Sequence, residues 1–357
     1  MIILGSTGSI GRNSLKIAEK FKIKIEALSC DKNYKILNEQ IEKFKPKFVC
    51  INDKNLAKFV NHKRVFIGEN GLLNMLENCK SKKAINALVG FAGLKPSLKI
   101  QNLNKTLCLA NKESLVVAGK FLDCKKIKPI DSEHFGIKFL LKNHPIKNLV
   151  ITASGGAFRD FSIEDLKFVD AKKALNHPNW KMGKKITIDS ATMANKLFEI
   201  MEAFWLYDTK NINALIEKTS TIHALIEFID GSTTAHISNT DMKLAIANAI
   251  ISNLKSEILP NFDLLKLQDL SFCEINLDKY PIFSLKNEVL KNPNLGVIIN
   301  AANEIFVNKF LQDECKFFDI KKFVFESLEK FGDLNPKNLE EIFEIDKEVR
   351  KFWRTYE

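Results

Sequence analysis

The sequence predicts an α/β protein in three parts. These are an N-terminal doubly wound parallel sheet, a central α/β domain with a lid loop, and a small C-terminal helical domain. Three observations carry that expectation. Short β-rich runs alternate with helical stretches from residue 1 to about 131, a spacing that forces parallel pairing through right-handed crossovers. A glycine-rich turn, Gly5–Gly11, sits at the first strand–helix junction. From about Gly296 onward the strand pattern gives way to apolar positions at helical spacing. The 357 residues suit two or three domains at about 150 residues each.

In order, Met1–Leu4 reads as a strand, Gly11–Phe21 as a helix, Lys24–Ser29 as a strand, Tyr34–Phe44 as a helix and Lys47–Ile51 as a strand. Further strands fall at Val65–Ile67, Ala84–Val89, Thr106–Ala110 and Ile127–Ile130. Asn148–Ala153 opens a second region, followed by Ser154-Gly155-Gly156 and a polar stretch containing Trp180 that runs to Gly183. A connection of that length is often a lid, the alternative being a packed pair of surface helices. Next come a strand (Lys185–Asp189), a helix (Ala191–Trp205) and sheet-like runs at Ser220–Ile229 and Thr233–Ser238. The pattern blurs between Leu254 and Pro281, as in a linker, and Phe317–Phe331 is helical.

Composition excludes several classes. Charged residues make up 27% and hydrophobic ones 45%, the mix of an ordinary globular chain. The longest apolar run, Ala203–Tyr207, is too short to span a bilayer, and Met1–Leu4 runs into Gly5 without a signal-peptide core. A cytoplasmic location is expected, with no membrane partner. The seven cysteines are scattered without a C-x-x-C pair, so they read as small core residues of a reducing compartment and not as zinc ligands. The net charge of +11 comes overwhelmingly from lysine dispersed along the chain, with five arginines and no nucleic-acid-binding motif. A small anionic substrate is the better use of that field.

The Gly5-Ser-Thr-Gly8-Ser-Ile-Gly11 turn permits backbone N–H groups to face a pyrophosphate at a helix N-terminus. About twenty residues later, Asp31 suits a ribose hydroxyl and NAD, whereas Lys32 and Arg12 suit a 2′-phosphate and NADP; spacing leaves the two equal. Ala110-Asn111-Lys112-Glu113-Ser114 ends a strand, where open α/β sheets bind ligands, although the same residues make a helix cap. In Asp131-Ser132-Glu133-His134, read as an extended strand end, the two carboxylates share a face and suit a hard divalent cation such as Mg²⁺ or Mn²⁺, while His134 points away. The bland alternative is a solvated acidic turn. Asp189–Glu199 reads as an amphipathic helix: Met193, Leu197, Ile200, Met201 and Phe204 face inward, and Asn195, Lys196, Glu199 and Glu202 form a wet face. Ser154-Gly155-Gly156 can form an anion-binding nest.

Taken together, GSTGSIG (5–11), ANKES (110–114), DSEH (131–134), ASGG (153–156), HPNWKMG (177–183), DSATMANKLFE (189–199) and NAANE (300–304) closely resemble the 1-deoxy-D-xylulose 5-phosphate reductoisomerase family. The resemblance spans nearly the whole chain. It implies an NADPH-dependent, homodimeric enzyme using Mg²⁺, Mn²⁺ or Co²⁺ in the methylerythritol phosphate route to isoprenoids, with product 2-C-methyl-D-erythritol 4-phosphate. Carried over, the metal ligands are Asp131, Glu133 and Glu199. Substrate contacts are Lys112, Ser132, Glu133, Ser154, His177, Ser190, Asn195, Lys196 and Glu199, of which Lys112, Glu133, His177 and Glu199 are the catalytic set. NADPH contacts are Thr7, Gly8, Ser9, Ile10, Lys32, Asn33, Asn111, Glu113 and Gly183.

The implied domains are 1–131 (Rossmann-like, NADPH-binding), 132–253 (catalytic, with a lid at 154–184), 254–281 (linker) and 282–357 (helical). Two departures stand out: Asp31 replaces a usual Gly, and the segment before His223 lacks the family's His-Pro pair. Two rival readings remain: another NAD(P)-dependent dehydrogenase of a small phosphorylated substrate, or a non-enzymatic dinucleotide sensor. A metal requirement separates the first, and NADPH oxidation the second.

Overall fold

A computed structural model describes residues 1–141, 144–266 and 270–354. The chain divides into two compact units. The first contains Met1–Ser114, Leu122–Phe135 and Asp241–Pro260; the second contains Leu115–Phe121, Gly136–Thr240 and Asn261–Glu357.

The first unit is built on seven strands: β1 (Ile2–Leu4), β2 (Ala27–Cys30), β3 (Phe48–Ile51), β4 (Val65–Ile67), β5 (Lys83–Asn86), β6 (Thr106–Leu109) and β7 (Lys128–Pro129). Every pair is parallel and the order is β4-β3-β2-β1-β5-β6-β7. Strand order reverses at β1, so the crevice beyond its carboxyl end is the switch point where such sheets take ligands. Ile3, Leu28, Val49 and Ile85 are fully buried within this sheet, and the Ser9–Lys20 helix adds Leu15, Ile17 and Ala18 to the same core. A helix at Lys243–Ile250 completes it with Ile246, Ala247, Ala249 and Ile250. The sequence reading places these residues in the central domain, 132–253, without a helix. The wholly apolar face of Lys243-Leu-Ala-Ile-Ala-Asn-Ala-Ile250 finds its partner in the first unit instead, and the expected linker at 254–281 is divided, residues 254–260 lying with the first unit and the remainder with the second.

The second unit holds a mixed sheet of β8 (Ile146–Ala153), β9 (Ile212–Ile216), β10 (Ile222–Phe228) and β11 (Thr233–Ile237), ordered β11-β10-β8-β9, with β8–β9 parallel and the other pairs antiparallel. Helices at Leu295–Leu311, Phe317–Phe331 and Leu339–Arg354 pack together, Phe306 stacking on Phe323 at 3.9 Å beside Trp353.

Two local expectations are corrected. Lys185–Asp189 is not a strand but part of a helix, Lys184–Thr192. Its β-branched residues are outweighed by an i,i+4 pair, Lys185 Nζ to Asp189 Oδ2 at 2.7 Å, and by the burial of Thr187 and Ile188 on one side. The following helix runs Ala194–Tyr207, separated from the first by Met193 alone, which takes a left-handed φ of 65°. Its supposed wet face is dry: Lys196, Glu199 and Glu202 are 3%, 1% and 2% exposed. The cysteine expectation holds for Cys30, Cys50, Cys79 and Cys108, which are buried, and fails for Cys273, which is exposed; all seven are free thiols.

Candidate active site

In the first unit, the turn after β1 is shaped by two glycines. Gly5 adopts φ +74°, and a Cβ on Gly11 would stand 2.3 Å from the Gly5 carbonyl oxygen, so the Ser9–Lys20 helix begins hard against the turn. Gly8 caps that helix with no side-chain hydrogen bond, no acid stands in the first turn, and Gly8 and Ser9 are exposed. The first N–H groups therefore face solvent at a positive helix terminus, which fits a dinucleotide pyrophosphate. Thr7 and Ile10 flank it, half-buried. At the end of β2, Lys32 and Asn33 are exposed; Asn33 Oδ1 accepts the Ile36 N–H at 3.2 Å and so caps the next helix. Asp31 Oδ1 accepts a hydrogen bond from Asn52 Nδ2 at 2.9 Å.

Asn111 is fully buried and its side chain is a clamp. Its Nδ2 donates to the Leu88 carbonyl (3.0 Å), the Gly90 carbonyl (2.8 Å) and Glu113 Oε2 (3.0 Å), while its Oδ1 accepts from the Ser114 N–H at 3.2 Å. Both readings of ANKES are thus present in the residues: a cap, and a polar strand end. Lys112, 7% exposed, sends its ammonium to Asp131 Oδ2 at 3.2 Å.

Asp131 and Glu133 do not lie on a strand as expected. Residues Ser132–Leu140 are helical, and Asp131 Oδ1 accepts the N–H groups of Glu133 (3.1 Å) and His134 (3.4 Å). A short Asp before a helix satisfies its first donors better than an extended strand would. Ser132 Oγ donates to Glu133 Oε2, and His134 is completely buried. The two half-buried carboxylates bring hard oxygen donors next to Lys112, a donor set that fits Mg²⁺ or Mn²⁺.

In the second unit, β8 ends at Ala153 and delivers Ser154. Gly155 and Gly156 take φ of +86° and +71°. A Cβ on Gly156 would stand 2.6 Å from the Ser190 carbonyl oxygen, so only glycine lets the Ser154 loop lie directly on the Ser190–Ala191 backbone. Ser154 Oγ accepts the Gly156 N–H at 3.1 Å and lies 2.9 Å from His177 Nε2. Burial, then the charge of Arg159, pulls His177 down to about 4. His177 Nδ1 accepts from the N–H groups of Asn179 (3.1 Å) and Trp180 (2.9 Å), which leaves the ring proton on Nε2. Trp180 lies against His223 at 6.0 Å between centroids, and Gly183 is exposed with open space around it.

On the Ala194–Tyr207 helix, Glu199 accepts hydrogen bonds from Asn195 Nδ2 (2.5 Å) and pairs with Lys196. Such a dense, buried set of charges on a helix is costly without a function for it. Sequence reasoning quoted NAANE without a role for it. Asn303 Nδ2 donates to buried Asp189 Oδ1 at 2.7 Å, tying the Leu295–Leu311 helix beneath Ser190. Its signal was the pair Asn300 and Asn303, set within and at the end of the apolar run 297–302; both are fully buried. Glu217 was also missed; it is 1% exposed at the end of β9.

Family models described as 1-deoxy-D-xylulose 5-phosphate reductoisomerase, its C-terminal domain, and DXP reductoisomerase C-terminal domain match residues 1–119, 127–207 and 237–352. The curated 1-deoxy-D-xylulose 5-phosphate reductoisomerase of Campylobacter hominis is 64% identical over 357 residues, covering 99% of each chain. The chain belongs to this family. The reductoisomerase of Campylobacter curvus is 59% identical over 99% of this chain and 98% of its own. Among solved structures, a DOX-P reductoisomerase in complex with NADPH, fosmidomycin and magnesium is 35% identical, with a TM-score of 0.88, covering 99% of this chain and 97% of that one. The reductoisomerase from Zymomonas mobilis in complex with NADPH is 32% identical with a TM-score of 0.87 over 98% and 96%. The doubly wound parallel sheet and mixed second sheet are thus the family's fold. Among the described residues, no helix is long and apolar enough to cross a membrane.

Proposed function

We propose that this chain converts 1-deoxy-D-xylulose 5-phosphate to 2-C-methyl-D-erythritol 4-phosphate, using NADPH and a divalent cation, in the methylerythritol phosphate pathway. The observation that carries this is a reductoisomerase relative 64% identical end to end. When bound, the cation supplies Lewis-acid polarisation of the sugar's adjacent oxygens and NADPH supplies hydride.

The chain's own groups do the rest. Asp131 and Glu133 of the first unit, with Glu199 of the second, are the proposed metal ligands. Lys112 tempers the negative charge of the first pair. Ser132 adds a hydroxyl beside them. The open turn at Thr7, Gly8, Ser9 and Ile10 takes the pyrophosphate, with Lys32 and Asn33 for the 2′-phosphate and Asn111, Glu113 and Gly183 for the remainder; Asn111 and Glu113 act mainly by holding the strand end in shape. Ser154, Ser190, Asn195 and Lys196 take the sugar phosphate. His177 serves as a neutral N–H donor to Ser154 and not as an imidazolium acid. Phe158, Leu166 and Ala174 are anchored in the interior, so closure is assigned to the stretch 175–184, whose half-buried Trp180 and Met182 would shield the intermediate aldehyde from water. The enzyme acts as a cytoplasmic homodimer, a state that sedimentation of the purified chain tests.

The deciding experiment is NADPH oxidation with 1-deoxy-D-xylulose 5-phosphate, with and without a chelator. Turnover that stops on chelation and returns with Mg²⁺ is expected. Metal-independent turnover would favour an ordinary dehydrogenase, and no oxidation under any condition would sink the enzymatic reading.

A further inference from the structure

We infer that Glu217 is a positioning residue: its carboxylate builds the 217–221 turn on which the His177–Trp180 segment is seated, and through it sets Ser154 toward the sugar phosphate. The inference rests on the proposed reaction. Glu217 leaves β9 with its own N–H bound to the Ala153 carbonyl at 2.8 Å, beside Ser154. Its Oε1 accepts from Thr219 N–H (2.8 Å) and Thr219 Oγ (2.7 Å), and its Oε2 from the N–H groups of Thr221 (2.9 Å) and Ile222 (3.2 Å). Four donors converge on one buried carboxylate, and the chain between them reverses through Ser220 at φ 57°. A carboxylate accepts at both oxygens and donates at neither, so no other side chain of this length replaces it.

The outer side of that turn grips two substrate-bearing loops. The Lys218 carbonyl accepts from Arg159 Nη1 (2.6 Å) and from Asn179 Nδ2 (2.6 Å), and Asn179 Nδ2 also reaches Ser220 Oγ at 2.7 Å. Asn179 is two residues from His177, whose Nδ1 accepts the Asn179 and Trp180 N–H groups. The ring is thereby fixed with Nε2–H aimed at Ser154 Oγ. That oxygen accepts from His177 and from the Gly156 N–H together, which occupies both lone pairs. Its own proton is left pointing outward as a donor, the polarity that a phosphate oxygen requires. One buried acid thus orders a relay of turn, Asn179, His177 and Ser154.

The test is steady-state kinetics of the full chain with NADPH, Mg²⁺ and 1-deoxy-D-xylulose 5-phosphate, alongside NADPH affinity by cofactor fluorescence. Glu217→Gln is isosteric but sets an NH₂ against two donors. It should raise the sugar-phosphate KM about tenfold, with a smaller fall in kcat and unchanged NADPH affinity. Asn179→Ala, at a half-exposed position that does not endanger folding, should raise the same KM several-fold. Asn179→Asp should be worse than alanine, because it turns a carboxylate on the Lys218 carbonyl. The double variant E217Q/N179A should be no worse than E217Q, since both cut one relay. If E217Q does not fold, the two Asn179 variants still decide. Unchanged KM in both, independent multiplication of E217Q and N179A, or a parallel loss of NADPH affinity would overturn the positioning role. A wild-type chain that fails to oxidise NADPH with this sugar phosphate overturns the reaction itself, and the inference with it; an active wild type with indifferent variants overturns the inference alone.

Discussion

The cofactor turn of the first unit and the Ala194–Tyr207 helix of the second handle polarity in opposite ways. At Gly5–Gly11 the proposed binding groups are backbone N–H, left bare by omission of side chains: no cap, no acid, exposed Gly8 and Ser9. On the helix the proposed binding groups are charged side chains pressed into the interior, with Lys196 and Glu199 paired at 3% and 1% exposure. Backbone donors cost nothing to desolvate beyond what a helix end already leaves open. Buried charges destabilise the unit unless each keeps its partner. The first site should therefore tolerate side-chain change and fail on backbone change, and the second the reverse.

The largest expected effect is Glu199→Gln. Removing the charge facing Lys196 should lower stability by about 3 kcal/mol, read by thermal melting. It should reduce kcat/KM at limiting Mg²⁺ by about 100-fold or more while NADPH still binds. A variant as stable and active as wild type would erase the contrast between the two regions.

Next comes a pair of glycines. Gly156→Ala puts a Cβ 2.6 Å from the Ser190 carbonyl oxygen at φ +71° and should raise the sugar-phosphate KM about tenfold or more without changing NADPH affinity. Gly8→Ala meets nothing closer than 3.4 Å, so the fold should stand and only NADPH affinity should fall. Equal effects of both variants on both ligands, measured by KM and cofactor fluorescence, would mean that the sites are not separable.

A smaller effect follows pH. Burial first, then Arg159, holds His177 at about 4 against an ordinary 6.5. The unfolded chain binds that proton near 6.5 and the folded chain near 4. Stability from the neutral ring is thus whole above about 6.5 and is lost progressively as pH falls toward 4. The melting temperature should decline over that window, with His236, also pulled down by burial, adding in the same direction. His177→Gln should flatten part of the decline; an unaltered slope would remove His177 from the linkage.

The smallest effect is Asp31→Gly. Asp31 is exposed and bound to Asn52, so its repulsion of a 2′-phosphate is screened, and the NADPH KM should fall by no more than about threefold while NADH is unaffected. Equal improvement for both cofactors would show that residue 31 shapes the loop and not the charge.

These contrasts explain what the sequence made legible. Parallel alternation and the glycine turn are local signals, and they led directly to β1–β7 and the Ser9–Lys20 helix. The Asp131–Glu133 pair was placed on a strand by a period of two, where Asp131 in fact caps a helix. Periodicity also assigned Lys196, Glu199 and Glu202 to water, because an amphipathic pattern cannot tell a solvated polar face from one buried in the interior. Asn303 escaped because its partner, Asp189, becomes a neighbour only once the helices of the second unit have packed; Glu217 escaped because its partners are backbone N–H groups of the next five residues, and a turn built on main-chain donors leaves no side-chain motif to read.

The helix at Lys243–Ile250 carries a consequence for synthesis. Leu15, Ile17 and Ala18 share one core with Ile246, Ala247, Ala249 and Ile250, more than two hundred residues later. A ribosome delivers the N-terminal strands first, yet they cannot close their apolar surface until that helix has emerged. All of β8–β11 is translated in the interval. A chain stopped after Thr240 would hold the complete nucleotide turn on an unfinished core, and would be a substrate for chaperones and proteases before it was a cofactor-binding domain.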